Sequence, residues 1–245
     1  MTQNEMEPID AREAFCFSCG PDVPCFNECC RDLSQSLTPY DALRLRNRLE
    51  MASREFIERF GLLNTGPATG LPVLTLGPAD EETLLCPFVT PDGCAVYEDR
   101  PSSCRMYPLA RAVSRSRETG ETAVHYALVK EAHCRGFEKG GSRTPEDRTP
   151  EDWIRDQGLS EYNRLNDLML EIISLKNTSH PGPLGLAAQK MAHMAFYDLD
   201  SFKALVFEQG GHREIDAPSE LMDAARQDDV KLLELAMVWL KAGLF

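Results

Sequence analysis

The sequence predicts an α+β protein: a small, irregular, cysteine-rich core with short antiparallel strands, followed by a mostly helical C-terminal region. Three observations lead there. Eight of the nine cysteines fall in two dense groups, Cys16 to Cys30 and Cys86 to Cys104, with Cys134 as the one outlier. Between Leu62 and Phe137 the apolar residues come in short runs broken by Gly, Pro and Asp, the pattern of small strands and turns. Beyond residue 152 the apolar residues recur at helical spacing, and no cysteine occurs.

A chain of 245 residues can bury a core without staples, so nine cysteines call for a chemical explanation rather than a stabilising one. The segment Met1 to Arg12 is polar and acidic, without the charged-then-apolar order of a secretory leader. Apolar runs such as Leu71 to Leu76 are too short to cross a membrane. The expected compartment is the cytoplasm, where clustered thiols bind metal more often than they pair. The net charge of −13 is spread evenly, −6 over residues 1–140 and −7 beyond. Arg44, Arg46, Arg48, Arg54 and Arg59 are interleaved with Asp41, Glu50, Glu55 and Glu58, which makes a solvated face and argues against a nucleic-acid partner.

Along the chain, a cysteine-rich loop region spans Cys16 to Cys30. Thr38-Pro39-Tyr40-Asp41 then reads as a capping box with Asp at its third position and Pro at the first helical one. Leu45, Leu49, Ala52, Phe56 and Phe60 predict one helix with one buried face, stopped at Gly61. Strands are expected over Leu71 to Leu76, Thr83 to Val89, Cys94 to Tyr97, Leu109 to Ser114 and Thr122 to Val129, the last two joined through Thr119-Gly120. A duplication, Thr144-Pro145-Glu146-Asp147 and Thr149-Pro150-Glu151-Asp152, marks a linker, and its second copy reads as a helix start. Helices follow over Trp153 to Leu175, Leu184 to Phe207 and Ser219 to Lys241, with Gly210-Gly211 before the last. The expected organisation is a cysteine-cluster metal-binding domain over 13–139, a linker over 140–152 and a helical region over 153–245.

Thiolates are soft anionic donors, and four of them satisfy a tetrahedral zinc or the corners of a four-iron cluster. Five of the nine cysteines lie within the fifteen residues from Cys16 to Cys30, a stretch poor in aliphatic side chains, which argues against simple burial of small apolar groups. Pro91-Asp92-Gly93 should make a tight turn delivering Cys94, and Pro87 and Pro101 stiffen the flanking backbone. If Cys25 to Cys30 is helical, Cys25 and Cys29 share a face while Cys30 points about 100 degrees away. Neighbouring thiolates would then face different metal atoms or opposite sides of one cluster.

Cys19, the run Cys25-Phe26-Asn27-Glu28-Cys29-Cys30-Arg31-Asp32, Leu37-Thr38-Pro39-Tyr40-Asp41, Cys86-Pro87-Phe88, Cys94-Ala95-Val96-Tyr97-Glu98, Arg100-Pro101 and Cys104-Arg105 with Tyr107-Pro108 together resemble the YkgJ-type cysteine-cluster family. Members of that family are described as zinc- or iron-chelating, or as iron–sulfur-cluster-containing, proteins. The resemblance runs from Phe15 to Phe137 and implies a bacterial metal-binding protein with Cys19, Cys25, Cys29, Cys30, Cys86, Cys94, Cys104 and Cys134 as ligands, Cys16 being an extra. Eight thiolates allow two four-cysteine sites, or one site and reserve cysteines. An iron–sulfur cluster, 4Fe–4S above all, is favoured over Zn²⁺. A bacterial flagellin lysine-N-methylase also resembles this domain, but the chain has neither a Gly-rich nucleotide loop after a strand nor a C-x-x-x-C-x-x-C radical cluster motif.

Among the histidines, His125 and His133 flank the last predicted strand and could replace a cysteine. His180, His193 and His212 lie outside the resemblance. Arg31, Arg105 and Tyr107 stand beside cysteines and could donate hydrogen bonds to sulfur. Met191 and Met194 read as core. Three function classes follow: an electron-transfer or redox protein holding an iron–sulfur cluster, a metal-dependent enzyme modifying a protein or small molecule, and a zinc-stapled module that binds a protein partner.

Overall fold

The computed structural model describes residues 5–32, 35–116, 118–138, 147–211 and 215–244. Residues 140–146 of the expected linker, and His212, lie outside the described residues. The first half of the chain forms β1 (Glu5–Ile9), β2 (Phe15–Cys16), a 3₁₀ turn at Glu28–Cys30, β3 (Ser36–Leu37), α1 (Pro39–Arg48), α2 (Ser53–Phe60), β4 (Gly61–Thr65) and β5 (Pro72–Leu76). Next come β6 (Val89–Thr90), β7 (Gly93–Cys94), a 3₁₀ turn at Tyr97–Asp99, α3 (Ser102–Met106), β8 (Leu109–Arg115), β9 (Thr122–Lys130) and β10 (Asp147–Arg148). The remainder is helical: α4 (Pro150–Asp156), α5 (Ser160–Ser179), α6 (Leu186–Phe196), α7 (Leu199–Phe207), α8 (Ser219–Ala224) and α9 (Asp229–Leu244). The architecture is α+β, with short antiparallel strands early and helices late, and among the described residues no helix is long and apolar enough to cross a membrane.

The chain divides into two compact units. The first comprises Met1–Leu33, Pro78–Tyr97 and Ser102–Ser160, and it contains all nine cysteines. Its largest sheet is antiparallel in the order β1-β9-β8, and the β8–β9 hairpin keeps register from Leu109↔Leu128 to Arg115↔Thr122. Gly120 closes this hairpin at φ 73, a left-handed conformation that costs a glycine nothing. The two-stranded pairs β10-β2 and β6-β7 complete the strands of the unit. Packing centres on aromatic rings: Phe17 stands 5.7 Å from Tyr107, 5.0 Å from Phe137 and 5.8 Å from Trp153, each ring edge meeting a face. Trp153 is delivered by α4, whose first turn is fixed as expected: Asp152 N–H donates to Thr149 Oγ1 (3.2 Å) and Thr149 N–H to Asp152 Oδ2 (3.3 Å). The Trp153 indole N–H donates to the Arg105 carbonyl at 3.1 Å, tying α3 to α4.

The second unit comprises Ser34–Gly77, Glu98–Pro101 and Glu161–Phe245. A sheet in the order β3-β5-β4 and the helices α1, α2 and α5 to α9 surround fully buried Leu45, Phe56, Leu74, Phe196, Phe202 and Leu232. The Thr38/Asp41 capping box forms at the start of α1. The single helix expected through Phe60 is interrupted at Leu49–Ala52, where Glu50 adopts φ 55 and Ala52 turns to solvent. The second unit's own contacts override the periodicity. Ser53 N–H donates to Asp200 Oδ2 at 2.6 Å, and the buried Arg46 guanidinium bridges Asp200 (3.2 Å) and Asp229 (3.1 Å). Three other expected helices likewise divide in two. Between α4 and α5 the divider is Gly158 at φ 63, and α7 restarts where Asp198 accepts the Ser201 N–H. Of the expected strand Thr83 to Val89 only Val89 is in one, as the start of β6, with Leu85 in an isolated bridge to Arg31, and of Cys94 to Tyr97 only Cys94 is in a strand, β7, with Tyr97 opening a 3₁₀ turn.

Candidate metal centre

The loop from Gly20 to Cys30 is a series of short turns: Val23 N–H donates to Gly20 O, Phe26 N–H to Val23 O and Glu28 N–H to Cys25 O. Only Glu28–Cys30 is helical, and Asn27 before it is left-handed at φ 67. Asn tolerates that region, and its Nδ2 donates to Thr90 O at 3.0 Å, which fixes the bend to β6. The shared face expected for Cys25 and Cys29 therefore does not form. The chain changes course between them, and the two sulfurs leave the loop toward different neighbours.

Cys29 and Cys30 meet the second cysteine group. Cys86 N–H donates to Cys30 O and Asp32 N–H to Leu84 O, both at 2.8 Å, so the two loops lie alongside each other. The Val89 N–H donates to Cys86 O at 3.1 Å, and in this knuckle the Phe88 and Val89 N–H groups lie near enough to the Cys86 sulfur to favour its anionic form. Cys94 sits opposite Val89 in the β6–β7 pair, after Gly93 at φ 122. A side chain at Gly93 would also press on the Phe26 ring at 3.2 Å. Cys104 comes from α3. The electrostatics follow from this proximity. A hydrogen bond from Cys30 brings Cys29 down to about 7, against the opposing effects of burial and of Glu131 and Glu28. The same bond, then burial and the nearby Cys29, Cys86 and Cys104, drives Cys30 up. Burial pushes Cys86 up, helped by Cys94 and Cys29 and opposed by the knuckle N–H groups.

Cys25 turns instead to the segment around Cys134. Arg135 N–H donates to Cys25 Sγ at 3.1 Å, Gly136 N–H to Cys134 Sγ at 3.4 Å, and the two sulfurs share a hydrogen bond. Burial raises Cys134, while Tyr107 and the Gly136 N–H act in the opposite direction. The buried Tyr107 hydroxyl has no partner at full hydrogen-bonding geometry, yet the Cys134 sulfur and the Glu131 N–H are both within interaction range of it. Burial first, then Cys134, moves Tyr107 well above the usual phenol range, so it remains a donor. Ser18 N–H donates to Gly136 O at 2.9 Å, which lays the segment bearing Cys19 against the same loop.

The other candidates are placed elsewhere. Cys16, on β2, donates to Asp147 Oδ1 at 2.6 Å across the β10-β2 pair. Arg105 Nη1 donates to Gln157 O at 2.7 Å, and Arg31 pairs with Glu28 at 3.9 Å. His125 shares a 2.8 Å hydrogen bond with Ser114 on the exposed hairpin. His133 lies 3.7 Å from the Glu131 carboxylate, and His180 and His193 belong to the second unit. Met191 and Met194 are on α6 and half-buried, with Met191 beside Gly243. Glu131 was not legible in the sequence, where nothing distinguishes it from other acidic residues. It acts electrostatically on both Cys29 and Tyr107.

All nine cysteines are thiols, with no disulfide among them. Among the described residues, no three Cys, His, Asp or Glu side chains converge as a ready-made ligand set for one ion. The donor chemistry nevertheless suits a thiophilic metal: sulfurs from separate chain segments interact, amide N–H groups point at several of them, and a buried hydroxyl beside Cys134 lacks a full-strength acceptor that a thiolate would supply. Residues 18–135 match the family model CxxCxxCC, described as "Putative zinc- or iron-chelating domain". Neither the curated proteins nor the solved structures include a match to the chain.

Proposed function

We propose that this chain, whose residues 18–135 match the model of the CxxCxxCC family, is a metalloprotein whose thiolates hold an iron–sulfur cluster in preference to zinc, in an electron-transfer or redox role. The observation that carries this reading is the interacting set Cys29, Cys30, Cys86, Cys94 and Cys104, gathered from three stretches of one unit. Five thiols exceed the four that a tetrahedral zinc takes. Consecutive residues such as Cys29 and Cys30 are more easily accommodated by a centre with several metal atoms than by one ion. When bound, a cluster supplies one-electron chemistry; the chain supplies the sulfurs, and the Phe88 and Val89 N–H groups offset charge on Cys86. Because the sulfurs do not already converge on one point, binding must draw the 25–30 loop and the β6–β7 hairpin together, so metal and local folding are coupled.

Anaerobic purification followed by an absorbance spectrum and iron, zinc and acid-labile sulfide analysis tests the reading. Broad visible absorption with iron and sulfide in equal amounts is expected. Colourless protein carrying stoichiometric zinc would replace the cluster by a zinc-stapled module, and protein with no bound metal after reconstitution would end both.

A further inference from the structure

We infer that β4 is an interface at which two copies of this chain pair edge to edge, joining their β3-β5-β4 sheets into one across a two-fold axis. In that sheet β4 lies at the outside, and four of its five residues are exposed, Leu62 at 53% and Leu63 at 49% among them. The bonds from Gly77 N–H to Phe60 O and from Gly66 N–H to Leu71 O fix which residues face β5. Phe60, Leu62, Asn64 and Gly66 do, so Gly61, Leu63 and Thr65 direct their N–H and C=O groups away from the sheet. The Gly61 N–H is taken by Ile57 O at the end of α2. Among the described residues, no backbone bond reaches the Leu63 N–H, the Leu63 O, the Thr65 N–H or the Gly61 O.

A row of such groups is a template for another strand, and edges are ordinarily blunted by charge or proline. The outer strands of the β1-β9-β8 sheet are: β1 carries Glu5, Glu7 and Pro8, and β8 carries Arg111 and Arg115. Strand β4 carries none of these, and residues 60–79 around it include no ionisable side chain. Charge and symmetry then select the occupant. A chain of net charge −13 repels its copy, and an uncharged edge is where two copies approach at least electrostatic cost. The same neutrality gives an acidic or basic strand nothing to pair with. Antiparallel pairing about Leu63 is self-complementary: each Leu63 N–H meets the Leu63 O of the second copy, and each Thr65 N–H its Gly61 O, four bonds that use every group named above. Leu63 shares a face with Leu74, opposite it on β5, and with Leu37, opposite Leu74 on β3, and both of these are buried. Its side chain is the half-exposed end of an apolar row, and the two-fold axis sets the same row of the second copy against it.

Sedimentation equilibrium of the full chain, as purified and under reducing conditions, reads the mass, and hydrogen–deuterium exchange over residues 61–66 reads the edge. The unsubstituted chain should reach twice the chain mass at high concentration and dissociate on dilution, with slowed exchange at Leu63 and Thr65 in the concentrated sample alone. Leu63→Lys sets two ammonium groups against each other across the axis and should return the mass to one chain, with far-UV circular dichroism to check the fold. Thr65→Pro decides should that variant unfold. It removes two of the four intermolecular bonds and none of the β4–β5 ladder, and should weaken association about thirtyfold. Val113→Lys, on the edge strand β8, is the control and should leave the dimer intact. A single chain mass at every concentration would leave this edge to a strand of another protein, and a dimer indifferent to Leu63→Lys or Thr65→Pro would place the contact elsewhere; either result overturns the inference. Strand β4 belongs to the second unit, which holds no cysteine, so neither result bears on the metal reading.

Discussion

Replacing Gly136 by alanine should loosen the cysteine unit where residues 17–18 meet residue 136. A methyl group there would lie 2.7 Å from Ser18 O and 2.9 Å from Phe17 Cδ2, with the rim of the Phe17 ring closer still. Phe17 has little room to withdraw, because Tyr107, Phe137 and Trp153 surround it with ring centroids within 6 Å. Overpacking of this kind costs about 2 kcal/mol, which for a chain of this size lowers Tm by about 4 to 8 °C. The residue also accepts the Ser18 N–H, so the displaced segment is the one that bears Cys19. Thermal unfolding followed through Trp153 fluorescence in a Trp239→Phe background measures the shift. Gly20→Ala is the control: a methyl there meets nothing within 4 Å, and it should leave Tm unchanged or slightly raised. Equal melting of the two variants, or a rise for Gly136→Ala, would show that Phe17 yields freely and would refute the close apposition of residues 17–18 with residue 136.

Thr149→Ala removes the side chain that caps α4 and should cost about 1 kcal/mol in urea unfolding, with Thr149→Ser recovering most of it. His193 titrates below its ordinary 6.5 because it is buried, with Asp198 opposing and Arg54 adding to the effect. The unfolded chain therefore takes up a proton that the folded chain resists, and stability is full above about pH 6.5 and falls as the pH drops through that value. His193→Gln should flatten the urea midpoint between about pH 7.5 and 5.5, and an unchanged slope would assign the effect to another group. Metal removal by a chelator should lower the melting of the cysteine unit, by about 2.7 kcal/mol relative to metal held at a hundred times its Kd. A melting curve indifferent to the chelator would argue against coupling between the centre and its unit.

Features set by neighbouring residues were legible in the sequence. Thr38 with Asp41, and Thr149 with Asp152, act over three residues, and both capping boxes form. The β8–β9 hairpin follows from two alternating runs around a Thr-Gly turn. What the sequence concealed depends on partners far along the chain. The apolar spacing from Leu45 to Phe60 fits one helix, yet Asp200 binds the Ser53 amide and the helix divides. Strand β1 pairs a polar, acidic N-terminal stretch, without strand-like alternation, with β9 more than a hundred residues away. At the candidate centre, the two cysteine groups, and Tyr107 as a candidate donor to sulfur, were readable from residue type and spacing. The parting of Cys25 from Cys29 was not, because it depends on the backbone conformation of a single asparagine.

The meeting of Cys25 with the backbone at Arg135 spans 110 positions in the chain. A fastening across so long a loop, whether a bridging ion or any other bond between these sulfurs, acts chiefly on the denatured chain by removing its most open arrangements. For covalent closures of about this length the gain is about 5 kcal/mol. Because Cys25 already touches this backbone in the folded molecule, a few atoms at this one junction decide whether the whole cysteine unit survives heat.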